Sequence, residues 1–151
     1  PTSTHPAEKT DYKDKSVIHG SGCILVVDDE PAVLEINSRM LTKLGFRVLE
    51  ACSGRDALNV YRQNRHIVDL VLLDMIMPDM GGGEVYERLK DINRNVKAIL
   101  ATGYSLDGEA SHIVKKGCDG VIQKPFSIDR LSRVISRVLN PGPPAKGKVA
   151  N

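Results

Sequence analysis

No apolar run in this sequence comes near the roughly 18 residues a membrane-spanning helix needs, so a transmembrane helix is excluded. Charge of one sign is lacking too. The 21 basic and 19 acidic residues leave a net charge of +2, too even to argue for nucleic acid or a charged membrane surface as partner. Cysteine is scarce: Cys23, Cys52 and Cys118 are far apart, odd in number and set among apolar or small neighbours. Reduced, buried thiols in a cytosolic protein are expected from that. A thiol-based metal site would want closer spacing and histidines, and His5, His19, His66 and His112 form no ligand pattern. The start carries no signal peptide. It opens on Pro1 rather than Met, which fits a piece cut from something longer.

What is present suits one domain with a real core and tails: 151 residues, 41% of them apolar. Val68 and Leu70 to Leu73 are apolar at nearly consecutive positions and end in Asp74, with Pro78 soon after. A short apolar run of this kind fits a strand buried on both faces of a parallel sheet. A core rejects a lone carboxylate, so Asp74 needs a partner, a metal or an open edge. Further strands are expected at Cys23–Val27, Phe46–Glu50, Val96–Ala101 and Val121–Gln123. Helices are expected between them: from Pro31 toward Leu44 with Gly45 as its stop, from Ser53 to Asn64, from Gly81-Gly82-Gly83 to Ile92, over Leu106–Lys116, and after the N-cap Ser127 to Asn140. Five strand–helix repeats predict a doubly wound α/β domain with a parallel sheet and right-handed crossovers. Residues 1–21 read as a disordered linker or leader, 22–139 as the folded domain and 140–151 as a disordered tail.

The polar residues that follow the strands form a pattern. Asp28 and Asp29 follow the first, Asp74 ends the third, Thr102 ends the fourth and Lys124 follows the fifth. All stand at carboxyl ends, the ligand-binding edge of an open parallel sheet. If the first and third strands are neighbours, three carboxylates converge and raise one another's pKa unless a cation joins them. Mg2+ answers that need. A carboxylate beside it can attack phosphorus, and Lys124 and Thr102 can meet the phosphoryl oxygens. The Gly81–Gly83 run is no phosphate loop, lacking the Gly-Lys-Ser/Thr ending, and reads as flexibility beside Asp74.

Together, Val26-Val27-Asp28-Asp29-Glu30-Pro31, Leu73-Asp74-Met75-Ile76-Met77-Pro78, Ala101-Thr102-Gly103 and Lys124-Pro125-Phe126 resemble the receiver domain of two-component response regulators over roughly residues 22–139. The resemblance implies a flavodoxin-like (βα)5 receiver fold with strand order 2-1-3-4-5. It implies Asp74 as phosphoacceptor and Asp29, Asp74 and the Ile76 carbonyl as direct Mg2+ ligands. Asp28 would act through water, Thr102 and Lys124 would contact the phosphoryl group, and the Lys124–Pro125 bond would be cis. It implies a phosphoacceptor with self-dephosphorylation rather than a conventional enzyme. A histidine kinase or histidine phosphotransfer domain would be its partner, with a homodimer as a further association and neither nucleic acid nor membrane in direct contact. Met80–Val85, Gly103-Tyr104-Ser105 and Gly120–Phe126 are similar to receivers of hybrid sensor histidine kinases, cytoplasmic parts of a membrane-anchored parent. One departure is Val121, where the family carries a Tyr or Phe that switches rotamer with the threonine; a valine cannot swing as a ring does. Two other readings compete: a degenerate receiver that only binds proteins, and a Mg2+-dependent aspartyl phosphohydrolase. The second would want an Asp where Ile76 stands.

Overall fold

The computed structural model describes residues 17–103 and 118–141. The expected helix over 106–116, Tyr104 and the termini lie outside the described residues. Within them the chain runs β1 (Cys23–Val27), α1 (Pro31–Lys43), β2 (Arg47–Ala51), α2 (Gly54–Asn64), β3 (Leu70–Asp74), α3 (Gly82–Ile92), β4 (Ala98–Thr102), β5 (Gly120–Gln123) and α4 (Ile128–Leu139). All strand pairings are parallel and the order is β2-β1-β3-β4-β5, as expected. β1 falls where expected and β5 begins one residue early, while β2 and β4 begin and end one or two residues later than the apolar runs suggest. Val68 and Val96 precede their strands, and Ala51 and Thr102 belong to theirs.

β1, β3 and β4 are buried at every position, the mark of a sheet covered on both faces. Side chains alternate across the sheet and divide the core in two. Leu25, Val27, Val71, Leu73 and Leu100 pack with Ala57, Leu58 and Tyr61 of α2 and Val85, Tyr86 and Leu89 of α3. Ile24, Val26, Leu70, Leu72, Ile99 and Ile122 pack on the other face with Leu41 of α1 and Leu131, Val134, Ile135 and Val138 of α4. Each fully buried aliphatic side chain contributes about 1.5–3 kcal/mol, so either cluster far outweighs any single polar contact.

Local sequence explains the helix ends. Pro31 opens α1, and Gly45, at φ +108°, closes it. The Gly45 amide donates to Thr42 O (3.0 Å) and the Phe46 amide to Leu41 O (3.0 Å), the paired bonds of a Schellman turn. Ser53 accepts from the Asp56 amide at 3.0 Å, but the Asp56 carboxylate returns to the Cys52 amide (3.2 Å), so the capping box is displaced by one residue. Ser127 caps α4 by accepting from the Arg130 amide. On α1 the helical spacing of Val33, Ile36, Met40 and Leu44, with Leu34 and Leu41 beside them, predicts the apolar face, which is only partly right: Asn37, Leu41 and Leu44 are buried, while Ile36 is 52% exposed.

Residues expected as linker lie against the fold before β1. The Ile18 amide donates to Ser132 Oγ of α4 (3.1 Å) and the Gly20 amide to Leu44 O (2.9 Å). The expectation of three buried thiols is corrected. Cys23 is buried, Cys118 is half-buried and Cys52 is exposed, because it stands past the end of β2 rather than inside it.

Candidate active site at the carboxyl edge

Strand alternation builds the site. Val26, Leu72 and Ile122 point into one core face. Two residues further along each strand, the same face receives Asp28, Asp74 and Lys124. The register sets them side by side, since Val27 is level with Leu73 and Asp74 with Ala101. Lys124 Nζ lies 3.3 Å from Asp28 Oδ2 and 3.2 Å from Asp74 Oδ1, so one ammonium joins the two carboxylates.

The surrounding backbone holds these residues in place. The Asp28 amide donates to Ala51 O at 3.2 Å, and Asp28 Oδ1 accepts from the Glu30 amide at 2.9 Å. The Met75 amide donates to Ala101 O (3.0 Å), and the Lys124 amide to Thr102 O (2.7 Å). The Lys124–Pro125 bond is cis, as the resemblance implies. Thr102, 4% exposed, stands one residue beyond the level of Asp74.

A cleft opens over this edge, lined by Asp29, Glu30, Asp74, Ile76, Gly103 and Lys124. Asp28 is buried beneath it, with only 1% of its surface exposed. Carboxylate oxygens of Asp28, Asp29 and Asp74 lie within 4.8 Å of one another. Burial, and next the Asp28 charge, push the Asp74 carboxyl above its ordinary range; Lys124 opposes both. Burial works against the Lys124 ammonium, but Asp74 and Asp28 outweigh it and hold its pKa above the usual lysine value. One ammonium therefore serves two buried carboxylates and a third nearby. An all-oxygen donor set with surplus negative charge fits a hard divalent cation.

One member of the glycine run has a packing role that the sequence expectation does not include. A Cβ on Gly82 would stand 2.6 Å from Asp74 O and 2.9 Å from Met75 Cα. Gly82 is buried, and its amide donates to Met75 O at 2.8 Å. Gly82 therefore packs closely against the end of β3, where no side chain fits. Val121 is half-buried and packs on the α2–α3 core face. Of the sequence-predicted site residues, Asp28, Asp29, Asp74 and Lys124 come together at this edge and Ile76 lines the cleft, while Thr102 ends the neighbouring strand without lining it. Glu30 and Gly103 also line the cleft, and only their adjacency to the motifs could have shown that.

Comparison with known proteins agrees with the geometry. Residues 24–136 match the response regulator receiver domain. The chain is 33% identical over 122 residues to the sensor kinase CckA of Brucella abortus, covering 81% of this chain but 13% of that kinase. It is 34% identical to the sporulation initiation phosphotransferase F of Bacillus subtilis, covering 77% of this chain and 92% of that protein. Among solved structures, the response regulator TrrA of Thermotoga maritima, in complex with Mg2+–BeF, superposes with a TM-score of 0.70 at 32% identity, covering 78% of this chain and 99% of that one. The fold, the edge constellation and these similarities agree: the chain belongs to the receiver domain family of two-component response regulators.

Proposed function

We propose that this receiver accepts a phosphoryl group on Asp74 from a phosphohistidine of a histidine kinase or histidine phosphotransfer domain. The observation that carries this reading is the convergence of Asp28, Asp74 and Lys124 on one face of the sheet edge. An Asp74 oxygen attacks phosphorus; the P–O bond forms as the P–N bond breaks, and the electron pair leaves on the imidazole. The raised pKa of Asp74 makes its carboxylate a better nucleophile, and Lys124 keeps it oriented. Asp29, Asp74 and the Ile76 carbonyl would hold Mg2+ directly and Asp28 through water. Bound there, the ion supplies charge to neutralise phosphoryl oxygens. Lys124 and the Thr102 hydroxyl supply the remaining cationic and donor contacts. The acyl phosphate, once formed, favours one of two conformations of the β4–β5 side. Similarity to a sensor kinase supports a receiver set within a hybrid kinase that works in the cytoplasm.

The test is acetyl phosphate or beryllofluoride with Mg2+, read by intact mass and NMR. Asp74 should gain one phosphoryl, and Asp74→Asn should gain none; equal labelling of the variant overturns the assignment. Val121 favours one second reading, a receiver that binds partners without switching. Beryllofluoride that binds yet leaves the β4 and β5 amide resonances unmoved would select it.

A further inference from the structure

The loop from Met75 to Gly81 carries the Ile76 carbonyl and is fastened at both ends. Met75 and Met77 are each 6% exposed and belong to the α2–α3 core face, whereas Ile76 between them is 62% exposed. Two buried methionines thus set the near end of the loop, with Ile76 left at the cleft. The far end is fastened differently. Asp79 Oδ1 accepts from the Gly54 amide at 3.1 Å, and Oδ2 accepts from the Arg55 amide at 3.0 Å. These are the first two amides of α2, which no intrahelical carbonyl can satisfy. Ser53 takes the next amide, that of Asp56, on its hydroxyl, and the Ala57 amide returns to Ser53 O. Of the first three amides of α2, one is therefore taken by its own cap and two by a carboxylate 24 or more residues away in sequence.

The other end of the same junction supports the acidic turn. Ala51 O, last in β2, accepts from the Asp28 amide. Both Asp28 and the Ile76-bearing loop thus hang from residues 51–55. Contact there is close: a Cβ on Gly54 would stand 2.7 Å from the Met80 Cβ and 2.9 Å from Val85 Cγ2. Among the roles assigned above, none belongs to Asp79.

We propose that Asp79 is a positioning residue for phosphoryl transfer: it pins the Met75–Gly81 loop to the start of α2 and thereby holds the Ile76 carbonyl at the acidic cleft. The inference rests on the reading of that cleft as a Mg2+ and phosphoryl site. A structural cap and a positioning clamp are separable, because the Ser53 hydroxyl caps the same helix through the Asp56 amide, whereas Asp79 joins the helix to the loop.

The experiment compares Asp79→Ala with Ser53→Ala in the whole chain. It measures Mg2+ affinity by calorimetry, amide hydrogen exchange over residues 75–81, and melting temperature. Both variants should melt lower. Only Asp79→Ala should weaken Mg2+ binding, by about tenfold, the usual cost of removing a group that orients a metal ligand. Only that variant should speed exchange in the loop, and Asp79→Asn, which keeps one acceptor, should fall between it and wild type. Equal Mg2+ affinity in the two alanine variants, with wild type binding the ion normally, overturns the positioning role and leaves the proposed function standing. Failure of wild type itself to bind Mg2+ overturns the proposed function, and the positioning role with it.

Discussion

The two edges of this sheet use the same residue to opposite effect. At the amino edge, Asp69 stands just before β3 and accepts from the Cys23 amide, first in β1, at 2.8 Å. Asp119 stands just before β5 and accepts from the Ala98 amide, first in β4, at 2.9 Å. Each carboxylate meets a single backbone donor that would otherwise end its strand unpaired. At the carboxyl edge, Asp28, Asp29 and Asp74 crowd together around one ammonium, and Asp74 is pushed up by burial and by Asp28. At the amino edge each carboxylate is held by a backbone donor at the start of a neighbouring strand, which ties the strands together. The carboxyl edge keeps an imbalance of charge that a cation can relieve, and the proposed function draws on that imbalance.

The contrast can be broken most severely at Asp74. Asp74→Asn should lose phosphoryl labelling entirely. Because its folded pKa is raised, Asp74 contributes stability at low pH that is lost as pH rises, so at neutral pH the ionised form costs stability. The Mg2+-free variant should therefore melt higher than wild type, by about 4 °C for each ~1 kcal/mol relieved, in a thermal scan with chelator. Lys124→Met should act in the other direction. It strips the cation from two buried carboxylates and should destabilise the Mg2+-free protein by about 1–3 kcal/mol, reduced from a fully buried pair because Lys124 is partly exposed. Millimolar Mg2+ should recover more stability in this variant than in wild type; equal recovery would mean the ion and the ammonium do not share the same carboxylates.

The amino edge should respond more weakly and without functional consequence. Asp69→Ala and Asp119→Ala should each cost about 1 kcal/mol by chemical denaturation, the worth of one lost hydrogen bond, with labelling of Asp74 unchanged. The smallest effect concerns Asp79, whose carboxyl is held below the ordinary 3.8 by the Arg55 amide and then the Gly54 amide. A depressed folded pKa means stability that is full above the unfolded value and lost as pH falls through the folded one. The gap in unfolding free energy between wild type and Asp79→Asn should therefore narrow below about pH 4.

Much of the carboxyl edge was legible because it obeys two simple periods. Strands buried on both faces read as apolar runs, and a polar residue at the end of such a run is a misfit that asks for a reason. Asp28, Asp74 and Lys124 each ended or followed a run, and alternation alone sets them on one face. Asp69, Asp79 and Asp119 were not legible, because a lone aspartate in a loop looks like ordinary turn chemistry. Their partners are backbone amides 21 to 46 residues away, which no local pattern encodes. A usable signal existed for two of them: an Asp immediately before a strand, in Val68-Asp69-Leu70 and Cys118-Asp119-Gly120. Ile36 misled for a related reason. Helical spacing marks an apolar stripe but not its centre, and Asn37 and Leu41 took the buried line. The packing role of Gly82 was not legible because its close neighbour is backbone at the end of β3, which no local pattern encodes.

Gly82 has a consequence for what the gene can tolerate. Every codon change that alters this residue adds a Cβ, and that atom falls 2.6 Å from the carbonyl oxygen of Asp74, which is backbone and has no rotamer into which to retreat. At Gly81 the nearest such atom is 3.7 Å away, an ordinary contact. Two adjacent, identical letters thus carry very different mutational freedom. One accepts alanine, and the other has no acceptable synonym among the amino acids, because the floor beneath Asp74 is built to the thickness of a hydrogen atom.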